Sequence, residues 1–477
     1  MAAGGGEVLE RELKFTVGDG FGLTTLSDEA EPARSFLSVY HDGVDHRLAR
    51  SGITLRRRLE NGANVWQLKL PRGTGARLEI ERPGGPARPP RELADALAAV
   101  LLGAPLQEIG RLRTRRATVR VDEGRAEVVL DEVAVLEGRR TLAVFRELEL
   151  EATDGRAELG PLAKQLRRAG AVASDGRPKV MQALGLEFHR EAPAPDAPAV
   201  DHLRGMLLAQ LEAIHAYDPA VRLLDDAEDL HQLRVAVRRL RALLRTARPI
   251  LDEARSEPLR EELAWLGALL GPVRDLDVLV EHLVEDAEQL DAADARAFRP
   301  ALALLAGARA DAREEMLAAL RTDRYLVLVG RVAAAADAPP ATDAETGVVD
   351  LARAEFRRLR KAAARVDDGS PDDELHRLRV LGKRARYAAE LAEVAAGKPA
   401  SRFIRAAKAF QDVIGEHQDA VVTETRLRDL LAERRSPRLA FVVGRMVERQ
   451  RARKREARAA FPSAWKNLKR AGDRAWA

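Results

Sequence analysis

Two carboxylates and an ammonium alternate near the start of the chain, in the segment VLERELKF at residues 8–15. The segment is short and is followed by Gly18 and Gly20, which favours a strand. Side chains of a strand alternate between two faces, so Glu10, Glu12 and Lys14 share one face. Carboxylates bind hard divalent cations and an ammonium binds phosphate, so the triplet fits a site for both. A solvated strand face explains the same triplet, and only repetition of the pattern elsewhere favours a site.

The first part of the chain predicts further strands of this kind. Strands are predicted at 7–17, 35–41, 53–60, 64–70, 76–82, 111–121, 125–135 and 144–152, and helices at 91–102 and 156–169. Eight mostly antiparallel strands can close a barrel that holds side chains or one small ligand. In several strands charges of both signs alternate with apolar residues, as in RLEIE at residues 77–81. These charges point either to water or into the lumen, and both arrangements stay open.

The triplet Glu10-x-Glu12-x-Lys14 resembles the signature of the CYTH, or triphosphate tunnel metalloenzyme, superfamily. Similar segments follow in order through nearly all of residues 1–190: Tyr40-His41-Asp42, Leu55-Arg56-Arg57-Arg58, Trp66-Gln67-Leu68-Lys69, Arg77-Leu78-Glu79, Thr114-Arg115-Arg116, Asp131, Glu147-Leu148-Glu149-Leu150-Glu151 and Pro178-Lys179. A chance match over five residues would not extend over a whole domain.

The resemblance implies an eight-stranded antiparallel β tunnel with flanking helices that binds a triphosphate inside. It implies catalytic roles for Glu10, Glu12 and Lys14. It implies phosphate binding by Lys14, Arg56, Arg58, Lys69, Arg77, Arg116 and Lys179. It implies Mg²⁺ or Mn²⁺ binding by Glu10, Glu12, Glu79, Asp131, Glu149 and Glu151. One register stays open among Arg113, Arg115 and Arg116, because a slip of one residue exchanges the inward side chain.

Residues 191–199, EAPAPDAPA, predict a Pro/Ala linker between a domain at 1–190 and a domain at 200–477. After the linker, apolar residues recur at helical spacing to the end of the chain. Breaks near 218–225, 252–258, 271–272, 338–347, 367–372 and 397–400 predict an all-α domain of about eight helices.

The helical half repeats itself, at about 200–340 and 345–477. HQLRVAVRRLR from His231 recurs as HRLRVLGKRAR from His376, and LGPVRD at 270–275 is echoed by IGEHQD at 414–419. The offsets, 145 and 144 residues, indicate a duplicated four-helix unit. Basic positions form one helical stripe in each copy: His231, Arg234, Arg238, Arg241, and His376, Arg379, Lys383, Arg386. Each stripe is either a solvated face or, because no acidic residue interrupts it, half of a basic groove.

The repeated stripe and its echo resemble the CHAD domain, a helical module often found C-terminal to CYTH domains. The resemblance implies two antiparallel four-helix bundles that bind inorganic polyphosphate through the stripe residues. The histidines either contact the ligand or brace helices. His417 has Val273 as its counterpart in the first copy, so a site that used it would be asymmetric.

Composition restricts the classes of function. The chain has 477 residues and no cysteine, which excludes disulfides and thiolate sites and is consistent with a reducing compartment. A net charge of +4 argues against diffuse nucleic-acid binding. Neither a bilayer-spanning apolar run nor a signal-peptide pattern is found, so a cytoplasmic protein without a membrane partner is expected.

The leading hypothesis is a multidomain α+β, metal-dependent inorganic triphosphatase whose helical domain binds polyphosphate. Thiamine triphosphate and ATP, as in an adenylate cyclase, are alternative substrates. An aromatic content of 4% favours tripolyphosphate, because a nucleotide needs a stacking platform. A non-catalytic polyphosphate-binding scaffold is the alternative from another class. The sequence does not predict an oligomeric state.

Overall fold

The chain divides into two compact units in a computed structural model that describes residues 6–23, 31–188, 191–367, 369–433 and 436–476. The first unit comprises residues 1–190 together with 215–226, and the second comprises 191–214 together with 227–477. Residues 191–198 form neither helix nor strand, and the first helix after them begins at Ala199. None of the described helices is long and apolar enough to cross a membrane.

The first unit is built on a closed antiparallel barrel. Its strands are β1 Glu7–Thr16, β2 Arg34–Asp42, β3 Thr54–Glu60, β4 Ala63–Pro71, β5 Ala76–Pro83, β6 Gln107–Val121, β7 Ala126–Glu137 and β8 Arg140–Ala152. The order is β5-β4-β3-β2-β6-β7-β8-β1, and pairing of β1 with β5 closes it. A short ninth strand, β9 Val172–Ala173, pairs with β1. The eight predicted strands and the barrel are therefore confirmed.

Short helices cover the outside of this barrel. They are α1 Arg47–Arg50, α2 Arg91–Ala96, α3 Ala98–Leu101, α4 Leu159–Arg168 and α5 Lys179–Ala183. Trp66 and Leu68 on β4 pack with Leu93 of α2 and Val100 of α3 in one buried cluster. A second cluster packs Leu166 of α4 with residues of β6, β7 and β8. The apolar faces thus point outward under helices, and the charged faces point into the lumen, which is the second of the two arrangements left open.

The second unit is helical. Its helices are α6 Ala199–Leu223, α7 Ala227–Thr246, α8 Glu253–Glu288, α9 Ala292–Leu320, α10 Asp323–Asp337, α11 Val348–Ala363, α12 Asp372–Leu391, α13 Glu393–Ala396, α14 Lys398–Glu433 and α15 Pro437–Ala475, of which the last part of α6 belongs to the first unit. The break predicted at 271–272 is wrong, because α8 continues through Pro272. Buried Leu266, Leu270 and Val273 pack on both sides of the proline, and this burial outweighs the hydrogen bond that proline removes.

The duplication is visible in the helix boundaries. Helices α7, α8 and α9 begin at residues 227, 253 and 292, and α12, α14 and α15 begin at 372, 398 and 437, so each pair is offset by 145 residues. Helices α6 and α11 precede α7 and α12 in the two copies. The copies differ at their ends, because α9 and α10 are separate whereas α15 is continuous over 39 residues.

Candidate functional site

The lumen of the barrel holds a cavity of about 300 Å³, called here the barrel cavity. Seven cationic side chains line it: Lys14, Arg56, Arg58, Lys69, Arg77, Arg116 and Lys179. Carboxylates line it as well: Glu10, Glu12, Glu79, Glu81, Glu149 and Glu151. The structure thus brings together all the residues assigned to phosphate and all those assigned to metal except Asp131. The Asp131 carboxylate is fully buried behind the lining, where it accepts hydrogen bonds of 2.9 and 2.7 Å from Arg116.

Strand register explains how the charged side chains meet in this cavity. Glu12 lies opposite Glu151 and Lys14 lies opposite Glu149 in the antiparallel pairing of β1 with β8. Directly opposed residues present their side chains on the same face of a sheet, at contact distance. Alternation along each strand then repeats the inward charge at every second residue. The register of β6 is also resolved, because Arg116 lines the cavity whereas Arg115 is exposed beside Glu132.

Three carboxylates converge within the cavity. Glu12, Glu149 and Glu151 each offer one oxygen atom, and these atoms all lie within 4.8 Å of one another. Carboxylate oxygens at this spacing suit a hard divalent cation. Burial, followed by the charge of Glu149, raises the pKa of Glu151 to about 7. Burial would also raise the pKa of Glu149, but Lys14 and Lys179 hold it well below its usual range, so Glu149 stays ionised.

The Glu149 carboxylate is the centre of the cationic contacts. Its Oε1 atom lies 2.6 Å from Lys14 Nζ and 2.7 Å from Lys179 Nζ, and its Oε2 atom lies 3.0 Å from Arg116 Nη2. A second carboxylate, Glu147, is 2.9 Å from Lys14 and 2.8 Å from Lys179. The two lysines are therefore held charged and buried by the same two glutamates.

Glu10, Glu79 and Lys69 form a separate group in the same cavity. The Lys69 Nζ atom lies 2.6 Å from Glu10 Oε2 and 2.7 Å from Glu79 Oε2. Burial, together with the hydrogen bond to Glu79, raises the pKa of Glu10 to about 8. Burial also disfavours ionised Glu79, but Lys69 outweighs it and lowers the Glu79 pKa. Burial of the two carboxylates thus favours a pair that shares one proton and carries one negative charge beside Lys69.

Side chains that were not assigned a role fix the arginines of the cavity. The Arg56 Nε atom donates to Gln67 Oε1 at 2.6 Å, and Arg56 Nη1 donates to the Tyr40 hydroxyl at 3.2 Å. The buried Phe36 ring lies 4.0 Å from the Arg58 guanidinium carbon. Tyr40 and Gln67 stand inside motifs that already pointed to the family, whereas Phe36 carried no signal. Glu147 could have been found, because it alternates with Glu149 and Glu151 on β8.

The helical unit contains a basic cavity of about 460 Å³, called here the helical pocket. Both copies of the stripe line it, through His231, Arg234, Arg238, His376, Arg379 and Lys383. The remaining two stripe residues, Arg241 and Arg386, are not among its lining residues. The copies also place equivalent ion pairs at this pocket, Arg234 with Asp275 at 2.9 Å and Arg379 with Asp419 at 3.8 Å.

Burial and crowding of like charges affect the basic groups of the helical pocket. Burial, followed by the charges of Arg379 and Arg238, lowers the pKa of Lys383 to about 7. Burial and Arg274 lower the pKa of His231, so its ring is neutral at pH 7. The His376 Nδ1 atom lies 3.0 Å from Gln418 Oε1. His417 is buried elsewhere, with its Nε2 atom 3.2 Å from Asp372 Oδ1.

Comparison with known proteins agrees with this division. The family model of the CYTH domain matches residues 9–170, and that of the CHAD domain matches residues 205–428. The uncharacterized protein Rv2226 of Mycobacterium tuberculosis is 31% identical over 433 residues, which cover 84% of this chain and 83% of that protein. PptA from Streptomyces chartreusis is 26% identical with a TM-score of 0.49, over 57% of this chain and 100% of PptA. The CHAD domain from the plant Ricinus communis is 27% identical with a TM-score of 0.48, over 59% of this chain and 94% of that domain.

The barrel with its charged lumen and the duplicated helical unit therefore define a triphosphate-tunnel fold joined to a CHAD module. The chain belongs to the family of proteins in which a CYTH domain is followed by a CHAD domain. CYTH proteins are metal-dependent enzymes of hydrolase or cyclase type that act on triphosphates. The acidic cluster of Glu12, Glu149 and Glu151 is where this chain can hold such a metal.

Proposed function

We propose that the barrel is a metal-dependent inorganic triphosphatase and that the helical unit binds inorganic polyphosphate. The observation that carries the first part is the barrel cavity, where three convergent carboxylates share one enclosed space with seven cationic side chains. A site that only bound a polyanion would be weakened by so many carboxylates, because each of them repels phosphate oxygens. A site that also binds a divalent cation requires them.

In this proposal Glu12, Glu149 and Glu151 hold Mg²⁺ or Mn²⁺. When bound, such an ion neutralises phosphate oxygens and lowers the pKa of a water molecule that attacks phosphorus. Lys14 and Lys179 share Glu149 and Glu147 in this structure, at 2.6–2.9 Å. Their ammonium groups are thus fixed beside the acidic cluster and are free to exchange a carboxylate partner for a phosphate oxygen.

The arginines supply the other half of the mechanism. Arg56 is half-buried and is oriented by Gln67 and Tyr40. Arg58 and Arg116 lie near the same Phe36 ring, at 4.0 and 5.7 Å. Guanidinium groups held in place before the substrate binds stabilise the charge that grows on the leaving phosphate without reorganisation. We assign phosphate binding to the seven cations that line the cavity: Lys14, Arg56, Arg58, Lys69, Arg77, Arg116 and Lys179.

The lining of the cavity favours tripolyphosphate over the organic triphosphates. Among its described lining residues, Tyr40 is the one aromatic side chain, and its hydroxyl is engaged by Arg56. A nucleotide base or a thiamine ring would need an apolar or aromatic platform to stack on. Tripolyphosphate needs only the cations and the metal.

Polyphosphate binding is assigned to the helical pocket, where the stripes of both copies meet in one cavity. Arg234 and Arg379 are each partly neutralised by an aspartate, but Arg238 and Lys383 line the same pocket without an ion pair to any residue in the described ranges. Burial, followed by repulsion from Arg379 and Arg238, lowers the pKa of Lys383, and a phosphate chain would relieve that repulsion.

Phosphate release by the full-length protein tests the enzymatic proposal. Tripolyphosphate, long-chain polyphosphate, ATP and thiamine triphosphate are supplied in parallel with Mg²⁺ or Mn²⁺. We expect tripolyphosphate to have the highest kcat/KM. Cyclic AMP formation from ATP would indicate a cyclase. Hydrolysis of thiamine triphosphate that is faster than that of tripolyphosphate would indicate a thiamine triphosphatase.

A further inference from the structure

The basic stripe of α7 continues beyond the part that the two copies share. Arg245 follows Arg241 at the same helical spacing, so the cationic face of α7 extends from His231 to Arg245, and Arg248 lies just beyond the end of the helix. At 1.5 Å per residue this face is about 21 Å long. In the second copy the equivalent positions, 145 residues later, are Glu390 and Glu393. The stripe is therefore extended in one copy and ended by carboxylates in the other.

The two copies also differ in how their arginines are neutralised. Arg386 lies 3.6 Å from Glu390, one turn further along α12. Its counterpart Arg241 has Arg245 at that position instead, and neither arginine forms an ion pair or hydrogen bond with any residue that the structure describes. Gly267 of α8 faces Arg241, and a Cβ atom there would stand 3.4 Å from Arg241 Nη1, so no side chain at this position covers the guanidinium. Arg241 and Arg245 thus present charge without an ion pair in the first copy. Arg248, by contrast, pairs with Glu253 and lies 3.6 Å from Glu257.

Arg245 and Arg248 open onto a further cavity of about 390 Å³, called here the arginine pocket. Arg358 from α11 and Arg384 from α12 line it as well. The buried carboxylate of Glu355 accepts hydrogen bonds from Arg358 at 2.5 Å and from Arg384 at 2.7 Å. One buried acid therefore fixes two guanidinium groups whose charges exceed its own. Four arginines from three segments of the unit converge on this space.

We propose that the arginine pocket is a second polyanion site, which binds the continuation of a polyphosphate chain held in the helical pocket. The chain would follow α7 past Arg241 and would leave the helical pocket along the first copy only, because the second copy has carboxylates, not cations, at the equivalent positions. Glu390 already pairs with Arg386 at 3.6 Å and with Arg239 at 3.7 Å, so the stripe of the second copy offers no free cation there among the described residues. The inference rests on the proposed polyphosphate binding and adds to it a direction and a dependence on chain length. Tripolyphosphate is too short to span a face of about 21 Å, whereas a long chain occupies both pockets.

The test compares chain lengths in the full-length protein. Lys14→Ala and Arg56→Ala are introduced as a common background to weaken binding in the barrel cavity, and a chelator prevents hydrolysis. Calorimetric titration then measures the affinity for tripolyphosphate and for long-chain polyphosphate, with and without Arg245→Glu. Arg245→Ala is a second variant that adds no carboxylate near Glu355. Arg357→Glu is the matched control, because Arg357 is exposed on α11 and does not line the arginine pocket.

We expect Arg245→Glu to weaken binding of the long chain roughly tenfold and to reduce the slope of log Kd against log salt by about one, while tripolyphosphate affinity changes less than about twofold. Equal losses for both ligands, or a loss no larger than that of Arg357→Glu, would overturn the inference. A background protein that binds no polyphosphate at all would instead overturn the proposed function of the helical unit, and this inference with it.

Discussion

Lys14 and Glu149 face each other across β1 and β8, and the Lys14 Nζ atom lies 2.6 Å from Glu149 Oε1. The same carboxylate belongs to the acidic cluster with Glu12 and Glu151. One side chain thus connects the cationic and the acidic halves of the barrel cavity. Its charge balances Lys14, Lys179 and Arg116, so Glu149 is expected to contribute to the stability of the barrel.

The first prediction is that Glu149→Gln destabilises the barrel. The substitution leaves Lys14, Lys179 and Arg116 buried with one counter-charge fewer, and an uncompensated buried charge costs about 3–5 kcal/mol. Because the pKa of Glu149 is lowered on folding, its contribution is present at neutral pH and is lost as the pH falls below the ordinary glutamate value. Urea unfolding at pH 7 and at pH 4 measures both effects.

Glu132→Gln is the control, because Glu132 lies on the outer face of β7 beside exposed Arg115. We expect it to change the free energy of unfolding by less than about 1 kcal/mol. Equal stability of Glu149→Gln and Glu132→Gln at pH 7 would contradict the ionic role of Glu149.

Much of the barrel could be predicted because its signals are local. The period of two in segments such as residues 77–81 predicts strands, and the register follows once the barrel closes. Which face points inward could not be derived from alternation alone, because a pattern of two faces is symmetric. The burial of Trp66 and Leu68 under α2 and α3 decides it.

The remaining discrepancies also have physical causes. Asp131 lies on β7 opposite Arg116, and this pairing places its carboxylate behind the guanidinium instead of in the cavity. Gly271 and Pro272 indicate a break in sequence, but long-range packing keeps α8 continuous. Arg241 and Arg386 share the stripe spacing, yet the helical pocket ends before them. Such outcomes depend on distant segments, which a local pattern does not contain.

A second prediction separates inward from outward arginines on β3. Arg56 lines the barrel cavity, whereas the adjacent Arg57 bonds to Asn64. We expect Arg56→Ala to lower kcat/KM for tripolyphosphate by about a hundredfold, because it removes a preorganised charge from the transition state. Arg57→Ala, the matched control, is expected to stay within about threefold. Similar kinetics for the two variants would mean that Arg56 does not contact the substrate.

A third prediction concerns the pH dependence of polyphosphate binding. The pKa of Lys383 is lowered to about 7, so at pH 8 the free protein has mostly neutral Lys383. A bound polyanion favours the charged form, and binding at pH 8 should therefore take up about one proton. Calorimetry in buffers of different ionisation enthalpy counts the protons. Lys383→Arg should abolish the uptake while binding is retained, and an unchanged uptake in that variant would assign the proton to another group.

The lowered pKa of Lys383 also predicts an effect on the protein without ligand. Above pH 7 the unfolded chain binds more protons at this lysine than the folded chain does, so stability rises with pH from about 7 toward the ordinary lysine value. Lys383→Met removes this slope. Chemical unfolding of the full-length wild type and of Lys383→Met at pH 7 and pH 9 measures how the free energy of unfolding changes with pH. An equal change in the two proteins would place Lys383 in solvent.

A fourth prediction tests the helical pocket by charge reversal. Arg234→Glu combined with Arg379→Glu repels a polyanion from both copies, and we expect affinity for long-chain polyphosphate to fall by about a hundredfold or more. Arg377→Glu is the control, since Arg377 is exposed on α12 and does not line the pocket. Titrations at two salt concentrations report binding. If the double variant and the control bind equally well, the stripes are solvated faces.

The most direct test of the central proposal is phosphate release from tripolyphosphate by the wild-type protein and by Glu12→Gln, each with Mg²⁺ and with excess chelator. Glu12 contributes an oxygen to the acidic cluster. The substitution Glu12→Gln keeps the shape of the side chain but removes the charge of this ligand. We predict Mg²⁺-dependent hydrolysis by the wild type and a decrease of at least about a hundredfold in Glu12→Gln with unfolding unchanged. Hydrolysis that persists in the chelator, or in Glu12→Gln at the wild-type rate, would contradict a metal-dependent triphosphatase centred on Glu12, Glu149 and Glu151.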